Sequence, residues 1–291
     1  MLEPHHTETS ARRSLWAAFL AFWPPLPVWR RLDAAVVALA AYTALVVLVV
    51  SETAVRLPDW SGVSTILNAL VLGLLLGFRT QVAYDRWWEG RRLWGQLIND
   101  SRSLCAKAAA LPGLSASARG ELGLLIPSFA VALKHLLRGE GGLRRVKGFE
   151  STEENPKHVP LFLFGRLTSV LQAERGAGRI AEMDILLLDP HVRGLMDVCG
   201  GCERIKNTSI PLSYRALLRH GLVLYLLSTP WLVADHLLWW TVPLGALLGY
   251  FLVGVELAAE DVEEPFGRDA DDLTLSAYCE TIRLSTEQAF G

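Results

Sequence analysis

Hydrophobic positions along the chain fall into two textures. Four stretches are almost wholly apolar: Ala34 to Val50, roughly Val63 to Val82, Leu222 to Trp240, and Thr241 to Ala259. A membrane-crossing helix needs about 20 mainly apolar residues, so each is a candidate span. The third and fourth run together, which predicts a tight turn between Asp235 and Val242. A fifth apolar stretch, Leu122 to Leu133, is shorter, contains Pro127, and is followed at once by Lys134, His135 and Arg138. At that length the pattern predicts a buried helix in a water-facing region. The long middle, about Arg86 to Arg219, is rich in Leu, Ala, Arg and Glu. Its helical pattern breaks at Pro112-Gly113, Gly139 to Gly142, Asn155-Pro156 and Gly176 to Gly178. No strand alternation, internal repeat or low-complexity tract stands out. The predicted fold is all-α: four transmembrane helices plus a helical region covering about 86–219 and 260–291.

Within the second apolar stretch, Leu70, Leu74 and Phe78 recur every four residues. A helix turns about 100° per residue, so these three share one slowly drifting face. Gly73 and Gly77 lie beside that face, at the spacing that lets helices approach closely in lipid. The bulky stripe has two readings. It touches lipid or a neighbour, or it forms a hydrophobic constriction that gates by dewetting.

The same stretch runs directly into FRTQVAYDRWWEGRRLWGQLINDSRSL, residues 78–104. Five arginines, three acids and three tryptophans follow an uncharged segment there. Helical spacing predicts pairing of Glu89 with Arg92, and of Trp87 and Trp88 with Arg91 and Arg92. Arg79 sits near the inner end of the span, where a charge requires a partner or water.

Composition narrows the class. Hydrophobic residues are 51% and charged residues 20% of the 291, and mean hydropathy is +0.29. These values fit a mixed membrane and aqueous architecture. A net charge of −2 offers no basic excess for nucleic acid. The ten tryptophans suit a membrane–water boundary. Cys199 and Cys202 form a lone C-G-G-C without matching ligand spacing elsewhere, and with Cys105 and Cys279 they read as reduced thiols. The N-terminal residues do not read as a signal peptide. No HExxH or GxSxG pattern is present, ionisable groups within the spans are few, and nothing calls for a cofactor, so the chain is not expected to be an enzyme. Four spans without internal symmetry also argue against a secondary transporter.

Arginine and lysine set the expected orientation. Arg12, Arg13, Arg30 and Arg31 precede the first span. Arg86, Arg91, Arg92 and Arg102 follow the second, and Arg204, Lys206, Arg215 and Arg219 precede the third. The intervening loops are nearly free of such charge. Both termini and the long middle are therefore expected on the cytoplasmic side of the inner (plasma) membrane.

Three blocks resemble one known family. FRTQVAYDRWWEGRRLWGQLINDSR is similar to the signature of the bestrophins, a family of ion channels. GGCERIKNTSIPLSYRALLRH leads into the third span, and LAAEDVEEPFGRDADDLTL follows the fourth, as in that family. The order and compact length resemble the bacterial branch. The resemblance implies a homopentamer with one central pore, each protomer a single domain over 1–291. It implies that Leu70, Leu74 and Phe78 form three rings of a hydrophobic neck. It implies a second, cytoplasmic narrowing at Ile185, or at Leu188 as fallback. Animal members bind calcium at the acidic segment; the matching candidates here are Asp261, Glu264, Asp269, Asp271 and Asp272, but Arg268 and Ala270 interrupt the acidic run, and bacterial members look calcium-independent. The implied function is passage of small monovalent ions, chloride or, in some bacterial members, a cation such as sodium. Arg79 is the candidate for biasing that choice, and the sign stays open. The competing reading is a non-conducting membrane scaffold.

Overall fold

A computed structural model describes residues 27–53 and 63–291. Side chains are described from Arg30 to Thr53, at Leu70, and from Leu72 onward. Arg12, Arg13, the N-terminal stretch and most of the loop joining the first two apolar stretches lie outside the described residues. Every regular element among the described residues is helical. In chain order they are α1 (Pro27–Glu52), α2 (Val63–Ala109), α3 (Ala116–Leu137), α4 (Val159–Gly176), α5 (Glu182–Asn207), α6 (Leu212–Leu237), α7 (Thr241–Glu263) and α8 (Leu275–Phe290). Two short 3-10 turns occur at Leu143–Arg145 and Leu238–Trp240. The second is the expected break between the last two apolar stretches, and Leu238 takes a φ of +49° there.

Three stretches among the described residues are long and apolar enough to cross a membrane: Arg30–Glu52, Ala116–Leu137, and the run Leu212–Glu263, which contains the turn. The Ala116–Leu137 stretch is α3, and half of it is buried inside the protein. Leu122, Leu125, Ile126, Phe129 and Leu133 all lie in a helical core.

The chain divides into two compact units. One holds residues 1–73 and 219–258. Within it, Tyr42 ties α1 to α6: its hydroxyl donates to the Leu227 carbonyl at 2.9 Å and accepts the Trp231 indole N–H at 2.8 Å. α7 approaches α1 closely at Gly249, where an added Cβ would lie 2.4 Å from Leu39 Cδ2. Arg219 and Glu256 form an ion pair at 3.1 Å.

The other unit holds residues 74–218 and 259–291. Its core gathers Trp94, Leu97 and Leu104 from α2 with the apolar face of α3, Leu163 and Leu167 of α4, Leu195 and Val198 of α5, and Ile282 of α8. Side chains cap its helix starts. Ser115 Oγ accepts the Ala118 N–H and donates to Glu174 Oε1 at 3.0 Å. His158 Nδ1 accepts the Leu161 N–H at 3.0 Å. α5 packs hard against α2 because it offers glycine at the contact. A Cβ at Gly201 would lie 2.9 Å from the Leu93 methyls, and one at Gly194 would lie 2.3 Å from Asp100 Oδ2.

Candidate functional site: one face of a long helix

α2 is unbroken for 47 residues. On it, Leu70, Leu74 and Phe78 are 65%, 58% and 55% exposed, large values for bulky apolar side chains. The positions between them turn inward: Leu72 and Leu76 are buried. The stripe that the sequence predicts is therefore an uncovered apolar face among the described residues. The two glycines beside it are equally uncovered. An added Cβ at Gly73 or Gly77 would meet nothing within 4 Å, so no close helix approach occurs there among the described residues.

Arg79 does not share this face. At about 100° per residue it points roughly 140° from the middle of the stripe. It is fully buried, and Nη2 lies 2.8 Å from Glu263 Oε2. Arg215 reaches the other oxygen of the same carboxylate at 2.9 Å. Arg79 therefore stands apart from the exposed stripe. Its charge is spent on a buried carboxylate, as a cation at the end of an apolar helix requires.

Most of the remaining charges of the mouth are likewise engaged in packing. Arg86 donates from all three guanidinium nitrogens to carbonyls, those of Glu263 at 3.2 Å, Thr208 at 2.5 Å and Ile205 at 2.7 Å. It thereby satisfies acceptors that the end of α5 would leave unpaired. Glu89 pairs with Arg204 at 2.5 Å and not with Arg92, because α5 lies alongside. Arg91 sits 5.2 Å over the Tyr278 ring and not on a tryptophan. Trp87 and Trp88 stack with each other and with Tyr84. Asp100 meets His191 at 3.1 Å, and Arg102 donates to Ser285 at 3.1 Å.

The two aperture candidates separate by burial. Leu188 is fully buried in the core, in register with Val192, Leu195, Cys199 and Cys202. Ile185 is half-buried and packs against the core, while Met183, Leu186 and Leu187 on the same turns are exposed.

The acidic segment after α7 folds on itself. Asp272 accepts the Asp269 N–H at 2.6 Å, and burial raises its carboxyl above the ordinary range. Glu264, Asp269 and Asp271 are exposed, Asp261 is half-buried, and these acids do not form a cluster of side-chain ligands. Among the described residues one such cluster exists, His158, Cys199 and Glu203, with ligand atoms within 4.8 Å of one another. Its hydrogen bonds are already satisfied. His158 Nδ1 accepts a backbone N–H, which assigns the proton to Nε2, and Nε2 faces Glu203 Oε1 at 3.0 Å. Cys199 and Cys202 are free and fully buried; burial pushes the Cys199 thiol up to about 12 and raises Cys202 as well.

The regular elements among the described residues are all helical, with stretches long and apolar enough to cross a membrane and one long helix that carries an uncovered apolar stripe. Comparison with known proteins makes the class specific. A family model described as Bacterial/Fungal Bestrophin protein matches residues 8–288. A voltage-dependent anion channel-forming protein of Nostoc sp. is 33% identical over 233 residues, 77% of this chain and 76% of its own length. One of that name from Synechocystis sp. is 34% identical over 236 residues, again covering 77% and 76%. A bacterial bestrophin homologue from Klebsiella pneumoniae, solved as single-substitution variants, superposes with TM-scores of 0.81 and 0.83 at 23% identity. The first covers 90% of this chain and 99% of that one, the second 91% and 98%. The chain belongs to the bacterial and fungal bestrophin family.

Proposed function

We propose that this chain is one protomer of a homopentameric ion channel of the inner membrane. In this reading it crosses the bilayer four times and keeps both termini in the cytoplasm. Five copies of α2 surround a central pore, and Leu70, Leu74 and Phe78 form its neck. The observation that carries the reading is the exposure of those three side chains on one face of a helix whose opposite face, with Leu72, Leu76 and Arg79, is buried. Large apolar side chains left open on a protomer mark a surface that another molecule or a lumen completes. Family membership and the names of the relatives support the same assignment. Gly73 and Gly77, open in the protomer, leave room for the neighbouring copy's helix. A narrowing near Ile185 at the cytoplasmic exit completes the path. Three apolar rings offer no binding site for an ion, so the neck acts as a barrier set by radius and wetting.

The test is purified protein in a planar bilayer. The triple variant Leu70→Ala, Leu74→Ala, Phe78→Ala is expected to carry larger unitary current than the parent chain. Unchanged current refutes the neck assignment. No current in parent or variant, with both correctly assembled, favours the scaffold reading.

A further inference from the structure

The exposed stripe of α2 does not stop at Phe78. Gln81, Asp85, Trp88, Arg92, Gln96 and Asn99 continue it, and all six are exposed. At about 100° per residue, each falls within the roughly 80° arc that Leu70, Leu74 and Phe78 span. The buried positions Ala83, Gly90, Trp94 and Leu97 lie on other faces. The face changes chemistry within one turn, from wholly apolar to polar and charged.

A second observation comes from charge pairing. Between Phe78 and Arg102 lie eight charged side chains. Six reach a partner on another element: Arg79, Arg86, Glu89, Arg91, Asp100 and Arg102. Asp85 takes only the Gln81 amide of its own helix, at 2.9 Å, and Arg92 has no partner on another element among the described residues. The two charges that the fold leaves unused are the two that share the stripe.

We propose that Asp85 and Arg92 are the charge-selective positions of the pore. This rests on the pore reading given above. In a pentamer they form a ring of five carboxylates about 10 Å below Phe78 and a ring of five guanidinium groups about 10 Å further on. An ion leaving the neck inward meets the carboxylate ring first. That ring concentrates cations and repels anions, and the arginine ring opposes it. The ratio of chloride to sodium permeability is the balance of the two.

Reversal potentials under a sodium chloride gradient near 0.1 M test this, where the Debye length is about 10 Å. Asp85→Asn is expected to raise the chloride-to-sodium permeability ratio by roughly threefold or more. Asp85→Glu keeps the parent value, and Arg92→Gln shifts the ratio the opposite way. In salt near 1 M, where screening shortens to about 3 Å, the differences shrink. Arg193→Gln removes an exposed charge on α5 and serves as control. Parent-like reversal potentials in Asp85→Asn and Arg92→Gln, with current flowing, overturn the assignment and leave the pore reading intact. Absence of current in every protein, the neck variant included, overturns both.

Discussion

Glu263 is the group whose loss the fold should feel most. Its carboxylate is buried, at 4% exposure, and it holds Arg79 at 2.8 Å through one oxygen and Arg215 at 2.9 Å through the other. Arg79 is itself fully buried. Replacing Glu263 with Gln keeps the shape and removes the negative charge that both guanidinium groups share. Removing one partner of a buried pair costs about 3–5 kcal/mol, because the remaining charge stays in a low-dielectric setting. In a protein of this size each kcal/mol corresponds to about 2–4 °C, so the expected fall in melting temperature is roughly 6–20 °C. Thermal unfolding of purified protein in detergent, followed by circular dichroism, reads the shift. Glu280→Gln is the comparison, since that carboxylate pairs with Arg283 at the surface. Exposed pairs are screened by water and contribute little, so its shift should be small beside that of Glu263→Gln. If Glu263→Gln melts within a degree or two of the parent protein, the charge is not structural and the argument fails.

Two further outcomes follow from the helical core. The Arg179 guanidinium beside Glu174 holds that carboxyl down to about 2, well below its ordinary value of 4.5. A group depressed on folding contributes stability above its ordinary value and loses it as pH falls toward the folded one, so the contribution should fade between about pH 4.5 and 2. Glu174→Gln should flatten a plot of melting temperature against pH over that window, and an unchanged slope contradicts the assignment. Gly201→Ala drives a Cβ to 2.9 Å from the Leu93 methyls and should cost roughly 1–3 kcal/mol in denaturant unfolding. Gly200→Ala, with nothing within 4 Å, should be neutral or stabilising by up to about 1 kcal/mol, and equal effects at the two positions refute the close-packing account.

Much of this was legible in the chain because period and length carry it. Helical spacing alone puts Leu70, Leu74 and Phe78 on one face, and the break near Leu238 follows from two apolar stretches too long to be one span. What spacing could not supply was the identity of distant partners. Arg79 was readable as a charge needing company, but Glu263 lies 184 positions away, and nothing local points to it. Glu89 looked satisfied by Arg92 at helical spacing, and the arrival of α5 redirected it to Arg204. Leu188 is a different case, since its place in the core was written in the pattern. Leu188, Val192, Leu195, Cys199 and Cys202 repeat every three or four residues, the mark of an inward stripe. Following that register would have predicted the burial of Leu188 and the exposure of Met183, Leu186 and Leu187.

The partners of α2 also set an order of events during synthesis. Arg79 waits for Glu263, Trp87 for the Asp271 carbonyl, and Cys105 for Thr286, separations of 184, 184 and 181 residues. At a ribosomal rate of about 5–20 residues per second, the helix exists for roughly 10–40 s before the groups that complete it have been made. Through that interval its arginines and tryptophans belong to a nascent chain whose closing contacts are still untranslated. The final segment of the polypeptide therefore governs when α2 becomes native. A chain truncated before Glu263 would present a finished helix without the carboxylate that Arg79 and Arg215 share.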